Sequence, residues 1–201
     1  LLGLVRSGRV AESRIDASAR RLLRVKFELG LFDDPFVDED AATEVLGRAE
    51  FREAGHEAQA RSVTVLRNEP VAGRPVLPLR PGTRVYAEGV GEAALRAAGL
   101  AVVATPEEAD VALVRLAAPF EPRSDLFLEA WFHQGSLDFP PGLVVRMQRL
   151  AARVPLVVDV ALDRGAVLTP LVPVTTALTA TYGSSDAALL DALSGRVAPR
   201  G

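Results

Sequence analysis

The sequence predicts an α/β fold: a mostly parallel sheet with helices on both faces (an α/β sandwich), preceded by an N-terminal helical arm and a linker. From residue 63 onward, short apolar runs rich in β-branched residues alternate with segments of helical periodicity. Such alternation is typical of a parallel sheet that is covered on both sides. Before these runs, an amphipathic stretch ends at a glycine and an acidic, proline-containing turn, which indicates a separate helix. With 201 residues, 49% of them hydrophobic, the chain can bury a sizeable core.

The N-terminal helix is predicted within residues 14–36. Asp16 is its expected N-terminal cap, and Gly30 is expected to end it. The turn at 33–35, Asp-Asp-Pro, then leads into a linker. The apolar residues of the helix keep helical spacing and form one face: Leu22, Leu23, Phe27 and Leu31.

The rest of the chain is predicted as alternating strands and helices. Buried strands are expected at 63–66, 84–88, 101–104, 111–116, 155–162 and in a run near 172–181. Helices are expected at 91–99, 142–154 and 184–195. Ser184 or Ser185 is the expected cap of the last helix, and Gly195 its end. Residues 67–83, which are rich in proline, are expected to form an irregular loop.

Composition argues against several classes of partner and site. The net charge of −3 gives no electrostatic reason to expect nucleic acid or an anionic membrane. No run approaches the roughly 18 apolar residues of a membrane span, so we expect a soluble protein, with a cytoplasmic or a secreted location left open. The chain has no Cys, and its two His lie 77 positions apart without ligand spacing. No metal site and no cofactor are therefore expected.

The segment after the fourth predicted strand, residues 118–141, is the candidate functional loop. Ligands of open α/β sheets gather at the carboxyl ends of the strands, and a loop of this length is unusual unless it has a function. An aromatic platform and polar side chains around it are typical of a sugar site. The loop contains such a set: Glu121, Arg123, Asp125, Glu129, Trp131 and His133.

Several strings in the chain resemble one known family. The N-terminal segment, RIDASARRLLRVKFELGLFDDPF, closely resembles the segment that leaves the catalytic barrel of glycoside hydrolase family 3 enzymes of the β-glucosidase type. Further similar segments follow in the order of that family: 58–69 (AQARSVTVLRNE), 77–79 (LPL), 109–123 (ADVALVRLAAPFEPR), 135–140 (GSLDFP) and 182–199 (YGSSDAALLDALSGRVAP).

The resemblance implies a domain organisation. Residues 1–32 would be the last helix of a (β/α)8 barrel that lies upstream, 33–57 a linker and leading helix, and 58–201 the family's C-terminal α/β sandwich domain. It also implies a retaining β-glycosidase, by default a β-glucosidase, whose nucleophilic Asp is on the barrel. This chain alone is then expected to be inactive, with a small carbohydrate as substrate and the barrel as partner.

The resemblance further implies that the loop supplies the general acid/base. Counted back from Ser136-Leu137-Asp138-Phe139-Pro140, Glu129 has the spacing most similar to that of the family's Glu, and Glu121 is the rival. The family's surrounding E-G-x-x-D-R is replaced here, so both carboxylates could instead be solvated loop residues. Trp131, His133 and Arg123 are the candidate substrate-binding residues, with structural roles for Trp131 and His133 as the alternative.

Other hypotheses stay open. The domain could be a non-catalytic module that shapes the sugar site or scaffolds a homodimer, and a β-xylosidase specificity is not excluded. Gly89-Val90-Gly91 follows a strand and opens a helix, but it lacks the third Gly and the Lys of a phosphate loop. The Asp residues at 159, 163 and 186 could form an acidic cluster, and His56, beside Glu53 and Glu57, is expected in solvent.

Overall fold

The computed structural model of the chain describes residues 1–123, 127–128 and 131–201. It divides into two compact units, Leu1–Arg48 and Ala49–Gly201. The domain boundaries expected at residues 32 and 57 stay predictions. The first unit contains the helices α1 (Leu2–Arg6), α2 (Glu12–Glu28) and α3 (Glu39–Val45).

The start of helix α2 corrects one expectation. The helix begins at Glu12, with Ala11 at the N-cap position and no side-chain cap, so Asp16 lies inside it. No glycine or proline separates Glu12 from Asp16, and Glu12 itself places a negative charge in the first turn, where the helix dipole favours it. The helix therefore extends one turn upstream of the expected cap.

The end of helix α2 confirms the expected stop at Gly30. Gly30 has φ +69°, and the N–H of Leu31 donates to the carbonyl of Lys26 (3.1 Å). A glycine in this left-handed conformation satisfies the last carbonyls of a helix without steric cost. None of the residues of α2 is buried, and on its apolar face Leu22 exposes 70% and Phe27 64% of its surface.

The second unit holds the alternating elements. Its helices are α4 (Ala49–Ser62), α5 (Glu92–Ala97), α6 (Pro141–Ala151) and α7 (Asp186–Leu193). Its strands are β1 (Thr64–Asn68), β2 (Pro70–Val71), β3 (Arg74–Pro75), β4 (Arg84–Glu88), β5 (Ala101–Val102), β6 (Val111–Ala117), β7 (Leu156–Ala161) and β8 (Ala177–Thr181).

Among the described residues, the main sheet has six strands in the order β1-β8-β7-β6-β4-β5. Strand β1 pairs antiparallel with β8 at one edge, and the other pairs are parallel. The central strands β6, β7 and β8 are almost wholly buried, as their continuous apolar runs predicted. The predicted fold class, a mostly parallel α/β sandwich, is confirmed.

Helices cover both faces of this sheet. On one face, Leu95 of α5 and Leu189 of α7 pack with Val85 and Val157 of the sheet. On the other face, Met147 of α6 belongs to the opposite apolar cluster. Helix α7 begins where expected, because the Ser185 hydroxyl accepts the N–H of Ala188 (3.2 Å).

The segment 67–83 was expected to form an irregular loop, and this is wrong for part of it. It contains the short ribbon β2–β3, turned by Ala72 (φ +50°) and Gly73 (φ +81°). The Asn68 side chain then holds the backbone of Leu77, since its amide donates to the carbonyl and accepts from the N–H, both at 3.0 Å. Two left-handed residues in succession make a tight hairpin turn, a signal that the many prolines obscured.

The strand order determines where a ligand site can form. The chain runs from β4 outward to β5, then crosses back to β6 on the other side of β4. In open α/β sheets, the crevice at the carboxyl ends of such a strand pair is the usual ligand site. The loop that leaves β6 at this point is the candidate loop, residues 118–141.

Candidate active-site loop

The candidate loop has a closed base. The backbone N–H of Glu121 donates to the carbonyl of Gln134 (2.8 Å), and the N–H of Ser136 donates to Oε1 of Glu121 (3.2 Å). Gly135 lies between them with φ +84°, and a Cβ there would lie 2.5 Å from the Glu121 carboxyl group. Only glycine fits at this position, so the two ends of the loop meet closely at Glu121 and Gly135.

The segment that follows β7 supports the returning half of the loop. Arg164 donates from Nη2 to the carbonyl of Gly135 (2.9 Å), and the N–H of Val167 donates to the carbonyl of Leu137 (2.8 Å). Phe139 then enters the core, with 6% of its surface exposed. The loop is therefore fixed to the sheet from Gly135 onward.

Glu129, the first candidate for the acid/base, lies outside the described residues, as does Asp125. Its role stays a prediction. Of its neighbours in the chain, Leu128 and Trp131 are both exposed, and the Trp131 N–H approaches the carbonyl of Leu128 (3.3 Å).

Glu121, the rival candidate, is exposed, but its carboxylate already has a partner within the loop. It accepts the N–H of Ser136 and lies against Gly135, as described above. A cavity of about 450 Å³ opens beside it, lined by Pro119, Phe120 and Asp138 among others. Glu121 thus combines a structural contact with access to a cavity.

The candidate substrate-binding residues differ in their surroundings. Trp131 exposes 75% of its surface, and its ring meets that of Phe127 edge to face, with centroids 6.4 Å apart. Arg123 is exposed on the outgoing half of the loop. His133 stacks flat on Phe120, with centroids 3.8 Å apart and an interplanar angle of 8°. The indole of Trp131 is therefore open to a ligand, whereas one face of the His133 ring is already covered.

His133 also contacts an acidic side chain. Its Nδ1 pairs with Oδ2 of Asp163, on the segment that follows β7. Asp163, one of the three Asp residues of the expected acidic cluster, is thus engaged with the candidate loop. The other two, Asp159 and Asp186, lie in a separate network.

That network is centred on Arg115, in the middle of β6, and sequence analysis missed it. Arg115 contacts Asp159 through Nε (3.2 Å) and Asp186 through Nη1 (2.7 Å), and its Nη2 donates to the carbonyl of Ser184 (2.6 Å). A charged residue within the apolar run VALVRL was the available signal, since a buried charge needs a partner. The two aspartates are therefore both paired with one arginine and do not form an open acidic cluster.

Asp159 is the fully buried member of the network. Its carboxylate accepts hydrogen bonds from the hydroxyls of Thr179 and Thr181, both at 2.9 Å. Burial raises the pKa of the Asp159 carboxyl, and the two hydroxyls together with Arg115 offset part of that rise. This carboxylate has internal partners on several sides and no exposure to a ligand.

The glycines after β4 have structural roles. A Cβ at Gly89 would lie 2.6 Å from the Arg115 carbonyl oxygen, and the N–H of Gly91 donates to Oδ2 of Asp186 (2.8 Å). The position at which a phosphate would bind this helix start is thus taken by a carboxylate of the protein.

His56 corrects another expectation. Its Nε2 lies 2.8 Å from Oδ2 of Asp191 on α7, so it is half-buried and paired rather than simply solvated. The pairing was hidden because Asp191 lies 135 positions away in the chain. Within the described ranges no group of three or more His, Cys, Asp or Glu is arranged to hold a metal ion, and none of their helices has the length and apolar character needed to span a membrane.

Comparison with known proteins gives a consistent result. No protein-family model matches the chain. β-Glucosidase C of Emericella nidulans is 45% identical over 204 residues, covering 100% of this chain and 32% of that protein. The periplasmic β-glucosidase/β-xylosidase of Dickeya chrysanthemi is 39% identical over 198 residues, covering 96% of this chain and 29% of that protein.

The chain belongs to glycoside hydrolase family 3. It corresponds to the C-terminal region of these enzymes and spans about a third of the length of the curated relatives it matches. The resemblance carried by its sequence motifs is confirmed.

Solved structures agree at the level of the fold. The β-glucosidase from Listeria innocua in complex with glucose matches with a TM-score of 0.68 at 20% identity, covering 97% of this chain and 32% of that chain. The β-glucosidase EmGH1 from Erythrobacter marinus matches with a TM-score of 0.71 at 20% identity, covering 98% and 35%. At this identity the match supports the α/β sandwich fold and does not assign residue roles.

Proposed function

We propose that this chain is the C-terminal part of a retaining β-glucosidase that removes terminal β-D-glucosyl residues, and that its candidate loop contributes to the substrate site. The observation that carries the proposal is the 45% identity to β-glucosidase C over the whole of this chain. A retaining glycosidase needs two carboxyl groups that face the scissile bond. We assign the nucleophilic Asp to the barrel of the full-length protein, and the second carboxyl to the loop.

Within the loop, Glu129 is the proposed general acid/base. Of the loop carboxylates, it has the spacing before the Ser136–Pro140 motif that is most similar to that of the family's Glu. Glu121 is the weaker candidate because its carboxylate already accepts the Ser136 N–H at the base of the loop. In the first step Glu129 donates a proton to the departing glycosidic oxygen. In the second it accepts a proton from the water that attacks the anomeric carbon.

The neighbouring side chains fit a sugar substrate. The exposed indole of Trp131 offers a flat apolar surface for one face of a pyranose ring. We propose that Arg123 contributes hydrogen-bond donors to sugar hydroxyls, and that His133, whose Nδ1 is engaged by Asp163, offers only Nε2 to the substrate.

The proposed partner of this chain is the barrel of the same protein. The exposed apolar face of α2, with Leu22 and Phe27, is the surface that we expect to pack on it. An aligned apolar stripe on a helix is costly to leave in water, at about 25 cal/mol per Å². No feature of the described residues favours a homodimer over this arrangement.

The proposal is tested by the dependence of rate on the leaving group. In the full-length protein, Glu129→Gln should slow the hydrolysis of alkyl glucosides by about 10²–10⁴-fold, because a poor leaving group needs the proton. An activated aryl glucoside, which departs without it, should lose much less in the first step. Glu121→Gln is the matched control and should change KM more than kcat. If Glu121→Gln shows the leaving-group dependence instead, the assignment to Glu129 is wrong.

One alternative specificity has an observation in its favour, since the Dickeya relative is named for both β-glucosidase and β-xylosidase activity. Rates on matched aryl β-glucosides and β-xylosides decide between them. If neither Glu variant changes any rate, the loop has only an architectural role, and the chain is a non-catalytic module of the enzyme.

A further inference from the structure

Each of the two histidines of the chain pairs with an aspartate, and the two pairs lie at different places in the fold. His56 pairs with Asp191 between helices α4 and α7, away from the carboxyl edge of the sheet. His133 pairs with Asp163, and this contact joins the candidate loop to the segment that follows β7. The two pairs have the same chemistry, so each provides the control for the other.

The contact of His133 holds a different part of the loop from the other contacts. The hydrogen bonds of Glu121, Gly135 and Leu137 fix the base and the returning half. His133 stands beyond that base, two residues after Trp131 and four after Glu129. The stack on Phe120 and the pair with Asp163 hold its ring from two sides.

We propose that Asp163, through His133, is a positioning residue for Trp131, which stands two positions before His133 in the chain and belongs to the proposed substrate site. This rests on the proposed function, since it concerns the same site. Neither side chain needs to touch the reacting atoms, because misplacing a catalytic group by about 1 Å can cost 10²-fold in rate. The stack on Phe120 fixes the plane of the ring, and the carboxylate fixes its rotation within that plane.

The first arm of the test uses the 201-residue chain and needs no activity. Trp131 is the only tryptophan in the chain, so its fluorescence anisotropy reports on the mobility of this one side chain. Asp163→Asn should lower the anisotropy, because the His133 ring loses the carboxylate that pairs with it. His133→Asn, which loses both the stack and the pair, should lower it further, and Asp163→Glu should restore much of what Asp163→Asn loses. The control variant His56→Asn should leave the anisotropy unchanged.

The second arm uses the full-length protein. Asp163→Asn should lower kcat/KM on glucosides by about tenfold, with an unchanged melting temperature, and Asp163→Glu should recover much of the loss. An anisotropy that does not change, or that changes equally in His56→Asn, overturns the proposal. So does an unchanged kcat/KM in Asp163→Asn when Glu129→Gln remains strongly impaired. If Glu129→Gln is itself fully active, the proposed function fails, and the anisotropy arm alone decides whether Asp163 positions Trp131.

Discussion

Two polar regions lie near the carboxyl ends of the strands, the Arg115 network and the candidate loop, and they differ in how far their side chains are exposed. Arg115 binds Asp159, Asp186 and a backbone carbonyl, and Asp159 also accepts two threonine hydroxyls. The candidate loop instead exposes Trp131. A buried carboxylate whose partners all come from the protein stabilises the fold, whereas a side chain that binds or acts on a ligand must be accessible from solvent.

The largest effect on stability is expected at Arg115. Arg115→Met removes the cation but leaves Asp159 buried, and breaking such a pair on one side lowers the free energy of unfolding by about 3–5 kcal/mol. Urea unfolding of the chain measures this. The control is Arg84→Met, which breaks the exposed pair with Asp110 (2.6 Å) and should cost far less. If the two variants lose the same free energy of unfolding, the Arg115 network contributes no more to stability than a surface ion pair.

A smaller effect is expected at the base of the loop. Gly135→Ala forces a side chain into a left-handed conformation and against the Glu121 carboxyl, so it should cost about 1 kcal/mol or more. Gly165→Ala is the control, because nothing lies within 4 Å of a Cβ at that position. If both variants are equally stable in urea, the closed base of the loop is not a fixed feature.

The smallest expected effect is a pH dependence that distinguishes buried from exposed carboxylates. Because burial raises the pKa of Asp159 in the folded state, its contribution to stability is full below the unfolded value of about 3.9. That contribution is lost as pH rises through the raised pKa. The stability gap between wild type and Asp159→Asn should therefore be largest in acid and narrow as the pH rises.

Asp110 should show the opposite dependence of stability on pH. The hydrogen bond from Arg84 lowers the pKa of the Asp110 carboxyl, so its contribution is present above the unfolded value and is lost as pH falls. The gap between wild type and Asp110→Asn should widen as the pH rises. Urea unfolding at several pH values measures both stability differences. If both change with pH in the same direction, the proposed difference between the buried and the exposed carboxylate is wrong.

The features that depend on a few neighbouring residues could be predicted from the sequence. Strand β4 was predicted with its observed bounds, and the cap at Ser185 and the stop at Gly30 follow from the conformational preferences of single residues. The cap assigned to Asp16 was wrong because a good capping residue inside a longer helical stretch has no reason to start a helix there. The ribbon β2–β3 was missed because the Ala72-Gly73 turn lies among prolines.

The contacts of the site could not be predicted in the same way. The partners of Arg115 come from β7, β8 and α7, and they meet only after the sheet has formed. His133 and Asp163 lie 30 positions apart, and no periodicity relates them. The role of the loop came from its place after β6 and from the family resemblance, which names residue types but not their contacts.

The most direct test of the central claim, that Glu129 is the acid/base of a retaining site, is the product formed with azide by Glu129→Gln in the full-length protein. Water needs a base to attack the glycosyl-enzyme bond, whereas the azide anion attacks the anomeric carbon without one and releases the nucleophile's carboxylate. We predict that added azide accelerates turnover of an activated aryl glucoside and yields β-glucosyl azide. Wild type and Glu121→Gln should yield glucose with or without azide. Glucose as the only product of Glu129→Gln, or glucosyl azide from Glu121→Gln instead, would contradict the account.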